Sequence, residues 1–163
     1  LSAKNVSREE RVKQSKKFII QKVKCLLKFN TKVIPGSIED YSNYIPTENA
    51  VEKITNWKQQ GAEIFYLTSR RIKSEIEAIQ KVLRKDHFPD SQKLLFVKTG
   101  EKYKDVAERL IPNILIEDDC ESIGGKREMT FSNINSKLKK QIKSIVIQEF
   151  SGIDHLSNSI TDL

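Results

Sequence analysis

Cysteine is scarce in this chain, which carries only Cys25 and Cys120. Two cysteines make no disulfide framework, and neither stands at a metal-ligand spacing. Cystine scaffolds and structural zinc sites are thereby excluded, and a reduced, cytoplasmic setting is the simplest expectation. Long apolar runs are missing too. None approaches the roughly 18 residues needed to span a bilayer, and the N-terminus lacks the positive-then-apolar pattern of a signal peptide. No membrane partner is expected. Aromatic residues make up 7% and do not alternate with the lysines, which argues against a single-strand nucleic-acid platform. No repeat or low-complexity tract stands out.

The residues that are present describe one ordinary domain. There are 163 of them, 37% apolar and 31% charged, enough for a single core and too apolar for a disordered chain. The formal charge is +7. The lysines are scattered, with local density from Lys13 to Lys28 and from Lys137 to Lys143. That pattern reads as a solvated basic face, so nucleic acid is not expected as a partner.

The chain order is informative. Ser7 and Glu10 form a capping box, and Val12, Ile19, Val23, Leu26 and Leu27 recur at helical spacing. Val23, Cys25, Leu27 and Phe29 also alternate, so a strand at 23–29 stays open. Residues 30–46 read as a loop, turning at Pro35-Gly36 and stopping at Pro46. Residues 1–45 are thus a helical, cap-like N-terminal segment, and 46–163 the α/β core. In that core Thr47 is the expected N-cap of a helix that Gly61 ends. Ala62 to Leu67 is an apolar strand. A helix follows at 73–85, with Ile72, Ile76, Ile79, Val82 and Leu83 on one side, broken at His87-Phe88-Pro89. Leu94 to Val97 is a strand, Glu101 to Leu110 a helix, and Ile114 to Ile116 a buried strand running into acids. Gly124-Gly125 marks a turn, Leu138 and Ile142 a short helix, and Ile145 to Ile147 a last strand. Short apolar strands separated by helices of about ten residues predict right-handed βαβ units and a mostly parallel sheet.

In such sheets ligands lie beyond the carboxyl ends of the strands. Two places qualify. Glu117, Asp118 and Asp119 place three carboxylates in a row, and a hard divalent cation is the usual compensation. The alternative is that they cap the next turn. Thr68, Ser69 and Arg70 offer hydroxyls, amides and a guanidinium to a phosphate oxygen. Thr68 or Ser69 capping the helix at 73–85 is the competing role. Lys98, Lys102 and Lys104 lie near the start of the helix before the acidic strand; Lys102, in its first turn, and Lys98 are the candidates to complete an anion site. Cys120 follows the acids, which raise rather than depress a thiol pKa, so it is read as incidental.

Phe65-Tyr66-Leu67-Thr68-Ser69-Arg70, the lysine-bearing helix, and Ile114-Leu115-Ile116-Glu117-Asp118-Asp119 together resemble motifs two, three and four of the haloacid-dehalogenase superfamily, over roughly residues 45–150. Tyr44-Ile45-Pro46, Gly61-Ala62-Glu63, the run from Glu117 to Gly125, and Gly152-Ile153-Asp154-His155-Leu156 are similar to one subgroup of it. The resemblance implies a Rossmann-like three-layer α/β/α fold and Mg²⁺-dependent phosphoryl transfer on a small phosphorylated substrate. It implies that Thr68 binds phosphate, Lys102 or Lys98 stabilises charge, and Asp118 with Asp119 positions Mg²⁺.

One part of the pattern is missing. The superfamily's first motif is an apolar strand followed by Asp-x-Asp-Gly-Thr, and this sequence has no such run. The nearest candidate, Leu26-Leu27-Lys28-Phe29-Asn30-Thr31, offers a lysine where the nucleophile belongs and an asparagine where the acid/base belongs. Either that strand precedes Leu1 or the copy has lost its aspartates; the start at Leu1 and the helical periodicity of 7–27 favour the first. The expectation is a phosphatase-like family member that is inactive as given. A non-catalytic binding protein of the same fold is the alternative, and a basic nucleic-acid-binding domain a weaker one.

Overall fold

The computed structural model describes residues 2–3, 35–37 and 40–163. The helix expected over 7–27 and the competing strand at 23–29 lie outside the described residues. Ser2–Ala3 (β1) pairs antiparallel with Tyr44–Ile45 (β2), Ser2 opposite Ile45 and Ala3 opposite Tyr44. A single 3-10 turn at Tyr41–Asn43 leads into β2, where the sequence reads as plain loop.

The first long helix is Ala50–Gln59 (α1). Its N-cap is Asn49, two residues later than expected, and Asn49 directs its side chain to Asp154 instead of to the helix. The helix stops as its sequence dictates. Gly61 adopts φ +99°, its amide donates to Lys58, and the Ala62 amide donates to Trp57. That pair of bonds is the Schellman ending, which needs a left-handed residue after the cap.

Tyr66–Thr68 (β3), Lys73–Lys85 (α2) and Leu94–Phe96 (β4) form a βαβ unit. The two strands are parallel, with Tyr66 opposite Leu94 and Thr68 opposite Phe96. Helix α2 has the expected bounds, 73–85, but Ile72, expected on its apolar side, is the exposed N-cap before it. Strand β3 does not have its expected bounds: residues 62–65 precede the ladder because the Ile64 amide donates to the Asp90 carboxylate (3.0 Å) rather than to a neighbouring strand. Leu83, Phe88 and Leu94 are buried together, with Ala50, Val51 and Ile54 of α1 and Ile76 and Ile79 of α2 packed on them.

The second unit contains Tyr103–Leu110 (α3), Ile114–Asp118 (β5), Thr130–Asn133 (α4), Ser136–Lys139 (α5) and Lys143–Ile147 (β6). β5 and β6 are parallel, Ile114 opposite Lys143 and Asp118 opposite Ile147. Ala107, Ile134 and Ile142 form the second buried cluster, with Leu115, Phe131 and Leu138 against it. β5 corrects the sequence reading in one respect: all five of its residues are half-buried, not buried. It has one strand neighbour, β6, among the described residues.

The described chain is therefore mixed α/β, with two short parallel pairs and one antiparallel pair. Among the described residues no helix is long and apolar enough to cross a membrane.

The segment after β6 returns to α1. Lys53 is buried (8% exposed) and its ammonium donates to the carbonyls of Asp154 (3.0 Å) and Leu156 (2.7 Å). The Trp57 indole donates to the Ser157 carbonyl at 3.0 Å. Residues 49, 53, 57 and 60 thus hold the segment along one side of the helix, as a spacing of three or four residues requires. A Cβ at Gly152 would meet only the end of the Glu48 side chain, which would have to swing aside.

Candidate functional site at the strand ends

The end of β3 is built around Thr68, whose hydroxyl oxygen accepts a bond from the Arg70 amide at 3.3 Å. Ser69 is exposed. Neither caps α2: its N-cap is Ile72, which has no side chain able to accept. The capping role weighed for these hydroxyls is thus ruled out, because Ser69, Arg70 and Arg71 separate Thr68 from the helix. The Arg70 guanidinium lies 5.1 Å from the centre of the Tyr41 ring, a cation–π distance. Arg71 turns the other way and donates to the Glu101 carbonyl at 2.8 Å.

Lys98 and Lys102 are both exposed, in the β4–α3 connection. Their backbone amides are used locally. That of Lys98 donates to Glu101 (2.9 Å) and that of Lys102, the N-cap of α3, to Asp105 (2.7 Å). These bonds hold both carboxyls below their usual range. For Glu101 the Lys98 amide contributes most and Arg109 next; for Asp105 the Lys102 amide dominates. Neither lysine ammonium forms an ion pair among the described residues, so both cations are available to an anion.

At the end of β5 the three acids separate in role. Glu117 accepts from the amides of Thr130 (2.6 Å) and Phe131 (2.8 Å). Both its oxygens satisfy the open N-terminus of α4, a helix the sequence reading missed. Asp118 accepts the Cys120 amide on Oδ1 at 2.9 Å. Asp119 accepts the amides of Glu121 (3.3 Å) and Glu149 (3.1 Å), also on Oδ1, and its own amide continues the ladder to Ile147. Oδ2 of Asp118 and Oδ2 of Asp119 have no described hydrogen-bond donor. Among the described residues no group of three or more His, Cys, Asp or Glu side chains is arranged to hold a metal ion.

Cys120 sits in the left-handed region (φ +52°) and its thiol pKa is pushed up to about 12, by burial first and by Asp118 second. A protonated thiol is a poor nucleophile.

Glu149 was not singled out by sequence reasoning. It is buried, and its carboxylate accepts the Ser122 amide (2.7 Å) and hydroxyl (2.5 Å). It therefore pins the loop after Asp119 to the end of β6. The partners are 27 residues apart, and no local pattern marks them.

The arrangement offers a hydroxyl with amides and a guanidinium at one parallel strand end, and two half-used carboxylates at another. Comparison of the chain with protein-family models, with curated proteins and with solved structures found no match.

Proposed function

We propose that this chain is a haloacid-dehalogenase-like phosphate-ester-binding α/β protein, with the Rossmann-like three-layer core of that superfamily. The carrying observation is the end of β5: Asp118 and Asp119 each use one carboxylate oxygen internally and keep the other without a described donor. Glu117, spent on α4, is left out of the metal set.

The donor chemistry suits Mg²⁺, which takes one or two carboxylates and fills its remaining positions with water and substrate phosphate. Asp118 and Asp119 would hold the ion, which would supply positive charge to offset that of a phosphate ester. The protein's own groups do the rest. The Thr68 hydroxyl and the Ser69 amide orient the phosphoryl group. Arg70, Lys98 and Lys102 oppose its charge, and the Glu149–Ser122 bonds keep the loop beyond Asp119 in place. The sequence holds no Asp-x-Asp strand end to attack phosphorus, so this chain binds without turning over.

The test uses Mn²⁺ as the probe ion, with amide spectra of the labelled chain. Selective broadening at 118–121 and 149, abolished in Asp118→Asn/Asp119→Asn, is the expected result. Uniform or absent broadening at millimolar Mn²⁺ would refute the proposal. Generic phosphate-ester hydrolysis with Mg²⁺ should stay at the background rate; turnover that Asp118→Ala abolishes would show a nucleophile elsewhere in the chain.

A further inference from the structure

A cleft of about 400 Å³ lies between Pro35 and residues 40–43 on one side and the first turns of α2 on the other, lined by Asp40, Tyr41, Ser42, Asn43, Ser74 and Glu75 among others. Its size is that of a small-molecule site. Among the described residues its charge is one-sided: the lining holds two carboxylates and no cation. Asp40 is buried (8% exposed). Its Oδ2 accepts the Gly36 amide (2.8 Å) and the Asn43 side-chain amide (2.7 Å), leaving Oδ1 with no described donor. Glu75 is half-buried, on the third residue of α2, and forms no described side-chain bond or ion pair. Two carboxylates facing one cleft favour a ligand that brings positive charge or several donors.

The opposite charge stands at the cleft's edge. Tyr41 lines the cleft, and the Arg70 guanidinium packs on the Tyr41 ring. Arg70 has no ion-pair partner among the described residues, and its amide is tied to Thr68 at the strand end. A ligand spanning from Arg70 into the cleft meets a cation first and carboxylates second.

We infer that the cleft takes the alcohol half of a small aminoalkyl phosphomonoester, the phosphate lying at Thr68 and Arg70 and the ammonium at Asp40 and Glu75. This rests on the phosphate-binding reading above and adds the substrate class. Arg70 and Glu75 are its specificity pair. The matching of opposite charges at two fixed points selects a dipolar ligand over a simple anion.

Four probes test it by amide shifts of the labelled full chain: inorganic phosphate, propyl phosphate, 2-aminoethyl phosphate and 2-aminoethanol. The aminoethyl ester should bind about tenfold more tightly than the propyl ester, as a charge-assisted contact provides. Its shifts should include Ser42, Asn43, Ser74 and Glu75. In Glu75→Gln, a near-isosteric change at this half-buried helix position, that preference should shrink to under about twofold. Inorganic phosphate should bind as before. Equal affinity for the two esters, or a preference that survives Glu75→Gln, overturns the assignment. Cleft shifts with 2-aminoethanol, without phosphate shifts at Thr68 to Arg70, support the cleft while refuting the phosphate site. Phosphate shifts with a silent cleft do the reverse, and silence with all four probes overturns both.

Discussion

Asp90 provides the sharpest test of how the first βαβ unit is held. Its carboxylate is 10% exposed and accepts the Lys58 ammonium at 2.8 Å and the Ile64 amide at 3.0 Å, with Lys93 at 3.5 Å. These contacts, the Lys58 bond first and the Ile64 amide second, hold its pKa below the usual carboxylate value. Asp90→Asn is nearly isosteric, and asparagine tolerates the left-handed backbone that Asp90 adopts (φ +51°). The change therefore removes charge and little else. The Ile64 amide bond to a charged acceptor contributes about 1.5 kcal/mol. Lys58 is 39% exposed, so solvent screening limits its bond to under about 1 kcal/mol. The expected loss is about 2 kcal/mol at pH 7. Because the folded pKa is depressed, this stabilisation is complete above the unfolded value near 3.8 and disappears as pH falls through the folded value. Urea unfolding followed by the fluorescence of Trp57, the single tryptophan and 4% exposed, measures it from pH 7 to pH 3. The gap between wild-type and variant midpoints should narrow below about pH 4, as the carboxylate begins to protonate. Midpoints that coincide at pH 7, or a gap that stays constant to pH 3, would refute the assignment of charge to this site.

Two further outcomes follow from the acidic strand end. Glu117→Ala orphans the Thr130 and Phe131 amides and should cost about 1–2 kcal/mol, the range of a lost helix cap. Hydrogen exchange should accelerate at 130–133, while Mn²⁺ broadening at 118–121 persists; loss of that broadening would mean Glu117 is a metal ligand after all. Cys120, with its thiol pKa pushed up to about 12, should alkylate slowly at pH 7. Its rate, read on the Cys120 peptide by mass spectrometry, should still be climbing at pH 10; a plateau below pH 9 would contradict the burial and the Asp118 charge as causes.

What the sequence disclosed divides along a physical line. Elements governed by their own residues were legible. α2 spans the expected 73–85, its apolar period running from Ile76 to Leu83 with Ile72 left outside as the N-cap, and Gly61 stops α1 because a left-handed residue is needed there. Features set by distant partners were not. β3 starts at Tyr66 instead of Ala62 because Asp90 captures the Ile64 amide 26 residues away. α1 is capped at Asn49 rather than Thr47, and its side chain is drawn to Asp154. The four-residue α4 has no amphipathic signal, and its stabilising carboxylate is 13 residues upstream. The acidic run itself was visible, but three adjacent carboxylates read alike in sequence. Only the backbone decides that Glu117 faces a helix end while Asp118 and Asp119 close the turn that follows. Thr68 and Arg70 were visible as types; the ring of Tyr41 beneath Arg70 was not.

The return of the 154–158 segment to α1 has a consequence for synthesis. Lys53 and Trp57 are joined to residues 101, 103 and 100 positions further along the chain. Contacts of that separation close late, and at about 5–20 residues per second the ribosome delivers the second partner some 5–20 s after the first. For that interval the indole of Trp57 and the ammonium of Lys53 lack the carbonyls of 154–157 that they donate to in the folded chain. The stretch of chain that completes the helix is then also the one whose arrival ends its exposure to chaperones and proteases.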